Sequence, residues 1–187
     1  FSSLGCSPDH AVLALGDSIT LGDCPPAGAP YPSRLESLSH RPVFNRGICG
    51  EKSDATLART TRELSRVAPT AVCLLIGAND TREDLAPEEI GAHIREIIRL
   101  AKERKARVLV ATLLPSRPPL GADPVEVAWT NLAIRKVVFE ESAELVDLNA
   151  AFGDGEGLLQ DDGLHPNEAG TQLIAEKFDN QLREEHP

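Results

Sequence analysis

The feature that most constrains the fold is a series of short apolar runs separated by longer segments with helical spacing. The five runs cover residues 12–15, 43–45, 71–76, 108–113 and 145–148. Several are almost continuously apolar, which is typical of strands buried on both faces of a parallel sheet. Parallel strands need crossover connections, and these are right-handed. We therefore predict an α/β fold, a three-layer α/β/α sandwich with a flavodoxin-like parallel five-stranded sheet in the order 2-1-3-4-5.

The segments between the apolar runs carry helix start signals and apolar stripes. A proline followed by two glutamates at 87–89 opens one helix, and a cap at Asp123 opens another. We assign Trp129 and Leu132 of the second helix to the core. A last helix is expected to begin near Asn167. Since no linker or repeat divides the 187 residues, we expect one domain over residues 1–187.

Composition excludes several classes of partner. The net charge of −10 argues against nucleic acid, and no apolar run approaches the roughly 18 residues that span a bilayer. The chain contains no Met and begins at Phe1. We interpret this as processing of an extracytoplasmic protein, which we prefer, or as trimming of the chain. The compartment and the oligomeric state are left open.

The four cysteines are isolated from one another and form no CxxC or Cys/His pair at ligand spacing. We therefore expect no metal site. Cys24 and Cys49 follow strands that are neighbours in the predicted sheet, so we predict a disulfide between them under oxidising conditions. The chain also contains neither a GxxxxGK phosphate loop nor a dinucleotide glycine fingerprint, and we expect no cofactor.

Polar loops follow four of the predicted strands and converge on one rim of the sheet. They cover residues 17–18, 45–47, 77–80 and 149–166. In an open parallel sheet, ligands bind outside the carboxyl ends of the strands. Ser18 lies in the loop after the first predicted strand. It can be either a reactive serine exposed at this rim or an ordinary helix cap.

Four short blocks in these loops resemble those of the SGNH or GDSL-type esterases and acylhydrolases. Residues 16–20 (GDSIT) are similar to the serine block, with Ile where the family name has Leu, and residues 45–50 (NRGICG) resemble the glycine block. Residues 77–80 (GAND) match the GxND block, and residues 162–165 (DGLH) match DxxH. Each block alone is weak, but all four occur in the family order.

The resemblance implies a cofactor-free serine esterase with a catalytic triad of Ser18, Asp162 and His165. Residue chemistry agrees, because a serine hydroxyl needs a base within hydrogen-bond reach. Of the five histidines only His165 follows a strand on this rim, and Asp162 is three residues away across a glycine turn. We treat Asp161 as a solvated neighbour and Asp17 as structural.

The resemblance also assigns three oxyanion donors: the N–H groups of Ser18 and Gly47 and the side-chain amide of Asn79. A glycine lets the backbone approach a substrate, and an amide is a neutral donor. From the residue alone, the alternative for Asn79 is a turn-forming asparagine, and the neighbouring blocks favour the site.

The expected substrate is an acylated sugar, a lipid or a simple ester. Loops stiffened by proline, at 23–32 and 115–122, favour a shallow cleft and short acyl chains. Two alternatives remain at this level. One is a flavin- or nucleotide-binding module with a phosphate at a helix N-terminus, and the other is a catalytically silent sugar- or lipid-binding protein.

Overall fold

The computed structural model describes residues 10–22 and 28–184. Its centre is a sheet of five strands in the order 2-1-3-4-5, with every neighbouring pair parallel. The strands are β1 (Val12–Gly16), β2 (Val43–Gly47), β3 (Ala71–Leu75), β4 (Arg107–Ala111) and β5 (Glu144–Val146). The predicted fold class and strand order are confirmed.

Helices flank the sheet on both sides. The helices of the described residues are α1 (Ser18–Leu21), α2 (Tyr31–Ser39), α3 (Ser53–Val67), α4 (Ala78–Arg82), α5 (Pro87–Glu103), α6 (Pro124–Glu140), α7 (Leu148–Phe152) and α8 (Glu168–Arg183). The starts predicted at Pro87, Asp123 and Asn167 are confirmed, since Pro87 opens α5 and the other two cap α6 and α8. None of these helices is long and apolar enough to cross a membrane.

The sheet separates two apolar cores, because alternate residues of a strand face opposite sides. On one side Leu13 and Leu15 pack with α3, α5 and α6. On the other side Val12 and Ala14 pack with α2, α7 and α8. Both faces of β1 are therefore buried, which explains its continuous apolar sequence.

The predicted strand ends differ from the observed ones by up to two residues, and helix α2 was missed. The last strand ends at Val146 rather than at Leu148, because the Asp147 side chain accepts a hydrogen bond from the Ala150 N–H and starts α7. Residues 31–39 form α2, which the sequence analysis did not predict. Only Tyr31, Pro32 and Leu35 of this helix are buried, so its apolar stripe is too short to give a helical period.

The assignment of Trp129 and Leu132 to the core was also wrong, since these side chains are 57% and 56% exposed. Helix α6 has two apolar sides. The side with Val127 and Ile134 is buried, and the side with Trp129 and Leu132 faces outward. Periodicity cannot choose between two apolar faces. The exposed pair lines an open groove of about 520 Å³ between α5 and α6, which contains none of the predicted site residues.

Two phenylalanines test this packing. Phe178 is fully buried and stacks on Tyr31 at a centroid distance of 5.3 Å. Phe178→Ala should lower the free energy of unfolding by about 3–5 kcal/mol. Phe139 is 86% exposed, and Phe139→Ala should change it by less than about 0.5 kcal/mol. Urea denaturation measures both values, and equal losses would contradict the placement of the two rings.

Candidate active site

Ser18 is presented at the carboxyl end of β1 by a tight turn. A Cβ on Gly16 would lie 2.2 Å from both the Leu75 carbonyl oxygen and Thr20 Oγ1, so the chain can pass here only with glycine. Asp17 then caps α1, its Oδ1 accepting from the Ile19 N–H at 2.9 Å. This confirms the structural role predicted for Asp17, and it leaves Ser18 as the first residue of α1.

The structure joins Ser18, His165 and Asp162 in one chain of hydrogen bonds. Ser18 Oγ lies 2.9 Å from His165 Nε2, and His165 Nδ1 lies 2.6 Å from Asp162 Oδ2. An ionised carboxylate only accepts hydrogen bonds, so Nδ1 carries the proton and Nε2 is free to accept from the Ser18 hydroxyl. This arrangement can deprotonate Ser18 as its oxygen attacks an electrophile.

The turn before His165 keeps the Asp162 carboxylate ionised and oriented. Its Oδ1 accepts from the backbone N–H groups of Leu164 and His165, both at 2.9 Å. Burial acts to raise the pKa of Asp162, but the hydrogen bonds from the imidazole and from these N–H groups outweigh it and hold the pKa below its ordinary value. Asp162 therefore stays negative at neutral pH, where it can stabilise positive charge that develops on the imidazole.

Asn79 lies in α4, directly after β3, and its side chain is held at both ends. Nδ2 donates to the Glu51 carbonyl oxygen at 3.0 Å, and Oδ1 accepts from Arg82 Nη1 at 3.3 Å. An amide nitrogen carries two protons, so one remains after the bond to Glu51. Asn79 is buried and can offer this proton to a ligand at the rim.

The expectation for Gly47 is not met, because its N–H donates to Asn45 Oδ1 at 2.9 Å. A Cβ there would lie 2.2 Å from the Leu21 backbone nitrogen, so this glycine permits close packing of α1 on β2. Gly50, which sequence reasoning passed over, has a φ of +69° and open space where a Cβ would be. Its N–H donates to none of the described residues.

The Asp17 carboxyl group, next to Ser18 in the chain, is buried. Its Oδ2 is buried and has no hydrogen-bond partner among the described residues. Burial raises its pKa to about 7, opposed by the hydrogen bond from the Ile19 N–H and by the nearby His165. Asp17 thus takes up a proton far more readily than an exposed aspartate does.

Two of the four cysteines, Cys49 and Cys73, lie within the described residues. Cys73 is buried with a free thiol, whereas Cys49 is disulfide-bonded. Its predicted partner, Cys24, lies outside the described residues, so the pairing stays a prediction. Within residues 10–22 and 28–184, no cluster of three or more His, Cys, Asp and Glu side chains could hold a metal ion.

The raised pKa of Asp17 gives a pH-dependent stability. Between about pH 4 and pH 7 the folded protein holds a proton on Asp17 that the unfolded chain has lost, so the contribution of this group to stability falls as the pH rises. Asp17→Asn does not titrate. Its free energy of unfolding, relative to the wild type, should therefore increase from pH 4.5 to pH 8. Denaturation at several pH values measures this difference, and a constant value would contradict the assignment.

Comparison with known proteins agrees with this geometry. Residues 14–173 match the GDSL-like lipase/acylhydrolase family. The chain is 28% identical over 178 residues to thioesterase 1/protease 1/lysophospholipase L1 of Escherichia coli (strain K12), covering 92% of this chain and 83% of that protein. It is 29% identical over 174 residues to the esterase TesA of Pseudomonas aeruginosa, covering 89% and 85% of the two.

Among solved structures, a lipase/acylhydrolase from Enterococcus faecalis superimposes with a TM-score of 0.81 at 20% identity. The match covers 92% of this chain and 95% of that chain, and it supports the fold. The family match extends from β1 into α8 and includes all four of the blocks described above. The chain therefore belongs to the GDSL-like lipase/acylhydrolase family and is a carboxylic ester hydrolase.

Proposed function

We propose that the protein hydrolyses esters with short acyl chains through a covalent acyl-enzyme on Ser18. The observation that carries this proposal is the chain of hydrogen bonds from Ser18 through His165 to Asp162. Neither a flavin- or nucleotide-binding module nor a catalytically silent sugar- or lipid-binding protein requires this Ser–His–Asp series of hydrogen bonds. The hydrolase family leaves both alternatives without support.

The proposed reaction has two steps with one base. Ser18 Oγ attacks the ester carbonyl carbon while His165 Nε2 takes the hydroxyl proton, and Asp162 stabilises the resulting imidazolium. Collapse of the tetrahedral intermediate breaks the bond to the alcohol, which leaves with the proton from Nε2. Water, deprotonated by the same nitrogen, then attacks the acyl carbon; the bond to Ser18 Oγ breaks, Nε2 returns the proton to Ser18, and the acid is released.

The oxyanion of the intermediate needs donors that are already in place. We propose the Ser18 N–H and Asn79 Nδ2, as the sequence predicted, together with the Gly50 N–H in place of that of Gly47. The Gly47 N–H is already bonded to Asn45. Gly50 directly precedes Glu51, whose carbonyl oxygen accepts from Asn79 Nδ2, so the backbone at Gly50 lies close to Asn79.

The surroundings of Ser18 support a short acyl group. The cavity beside His165 has a volume of about 20 Å³, and a second, lined by Ile19, Leu113 and Leu164 among others, has about 10 Å³. Neither is a tunnel for a long chain in the part of the protein that is described. The names of the curated relatives include thioesterase and lysophospholipase, so small thioesters are a second substrate class to test.

The disulfide at Cys49 supports an oxidising compartment. Structural disulfides persist in secreted and periplasmic proteins and are rare in the reducing cytosol. We propose an extracytoplasmic location on this ground.

The nucleophile is tested by Ser18→Ala. This change should lower kcat by about 10⁴-fold or more, since the whole catalytic unit depends on the attacking oxygen. A fluorophosphonate should label the wild type at Ser18 and leave the variant unlabelled, as read by peptide mass spectrometry. Ester hydrolysis by the variant at nearly the wild-type rate would refute the mechanism.

Acyl preference is tested with p-nitrophenyl esters of increasing chain length. Acetate and butyrate should have a much higher kcat/KM than decanoate, because a chain that stays in water gains none of the roughly 0.8 kcal/mol per buried methylene. The matching acetyl and decanoyl thioesters should show the same order. A kcat/KM that rises steadily up to decanoate would show an apolar groove and refute the short-chain proposal.

A further inference from the structure

Beside the site lies a buried ion pair that the proposed reaction does not use directly. Arg59 of α3 and Glu51, in the loop after β2, have side chains only 7% exposed. Arg59 Nε lies 2.8 and 2.9 Å from the two carboxylate oxygens, and Nη2 also donates to the carboxylate. This two-pronged geometry fixes the Glu51 carboxylate relative to α3.

The Arg59 guanidinium also holds the ends of two neighbouring strands. Its Nη2 donates to the Arg46 carbonyl oxygen at 2.8 Å and to the Gly16 carbonyl oxygen at 3.4 Å. Gly16 is the last residue of β1, two positions before Ser18. One cation therefore ties the strand end that leads to Ser18 to the strand end that leads into the Gly50 turn.

Glu51 connects the same ion pair to Asn79. Its carboxylate also accepts from Thr56 Oγ1 at 2.7 Å, and its backbone carbonyl accepts from Asn79 Nδ2 at 3.0 Å. The residue before it is Gly50, in a left-handed conformation. The backbone position of residues 50 and 51 thus depends on where the Glu51 side chain is held.

We propose that Glu51 and Arg59 are positioning residues that keep the three oxyanion donors, on Ser18, Gly50 and Asn79, in one fixed arrangement. This inference rests on the proposed function. Both side chains are too buried to contact a substrate, so they act through the donors. A buried ion pair is often no more stabilising than apolar residues of the same size. The role that we assign to this pair is therefore geometric.

The test separates geometry from stability by removing both charges together. Glu51→Gln leaves Arg59 buried without its partner and risks unfolding, whereas the double variant Glu51→Leu/Arg59→Met removes both charges and should still fold. With a short-chain ester the double variant should lose about 10²-fold in kcat, the size of effect expected when reacting groups are misplaced by about 1 Å. Its KM should change by less than about threefold, because uniform binding is untouched.

A second variant tests the geometry at constant charge. Arg59→Lys keeps the positive charge but cannot hold the carboxylate and two carbonyl oxygens from one planar group. Arg59→Lys should therefore lower kcat, as the double variant does. A boronic acid that adds to Ser18 as a tetrahedral anion should bind both variants more weakly, by a factor close to the loss in kcat.

A second Arg–Glu pair, at the opposite end of the sheet, serves as a control, although its side chains are 32% and 14% exposed against 7% for both members of the first pair. Arg107 and Glu144, in β4 and β5, form another two-pronged pair at 2.9 and 2.7 Å, and Arg107 also binds the backbone carbonyls of Gln181 and Leu182. The corresponding double variant Glu144→Leu/Arg107→Met should leave kcat and boronate affinity unchanged, whatever its effect on the melting temperature. A structural effect alone would give the same result at both pairs.

The outcomes are distinct. A folded double variant with wild-type kcat and boronate affinity would overturn the positioning role while leaving the serine mechanism intact. A wild-type kcat in Arg59→Lys would also overturn the positioning role, since a positive charge alone would then suffice. If Ser18→Ala retained activity, the proposed function itself would fail, whatever the result for Glu51 and Arg59.

Discussion

Parallel pairing of β1 with β2 and β3 is the constraint on which the site depends. Gly16 lies opposite Gly47 and Leu75 in this register, so the three strands end at one level. Each loop that follows them then emerges at the same rim: Ser18 after β1, Gly50 after β2 and Asn79 after β3. The apolar cores on the two sides of the sheet hold this arrangement.

The rim carries several buried polar groups, which is costly unless they are paired. Asp80 accepts from both the N–H and the hydroxyl of Ser53, and Glu51 is paired with Arg59. Asp17 differs, because one of its oxygens has no partner among the described residues and its pKa is raised to about 7. Polar groups of this kind are concentrated around functional sites, where they fix the geometry of reacting atoms at the expense of stability.

Much of the fold could be predicted because apolar periodicity is a local property of the chain. The run at 71–76 indicates a strand buried on both faces, and the stripe from Ile90 to Ala101 indicates a helix with one buried face. Prediction failed where that signal is short or ambiguous. Helix α2 buries three residues near its start, and α6 has two apolar faces, of which the one with Trp129 is exposed.

By itself, the sequence determined the sheet order, and its four motif blocks predicted that Ser18, Asp162 and His165 act together, three side chains that the structure joins by hydrogen bonds. Only the tertiary structure decided which glycine N–H is free. Asn45 occupies that of Gly47, and no described residue occupies that of Gly50. It also decided that Glu51 meets Arg59 within reach of two strand ends. Such contacts depend on the direction of individual N–H and carbonyl groups, which no spacing of residue types specifies.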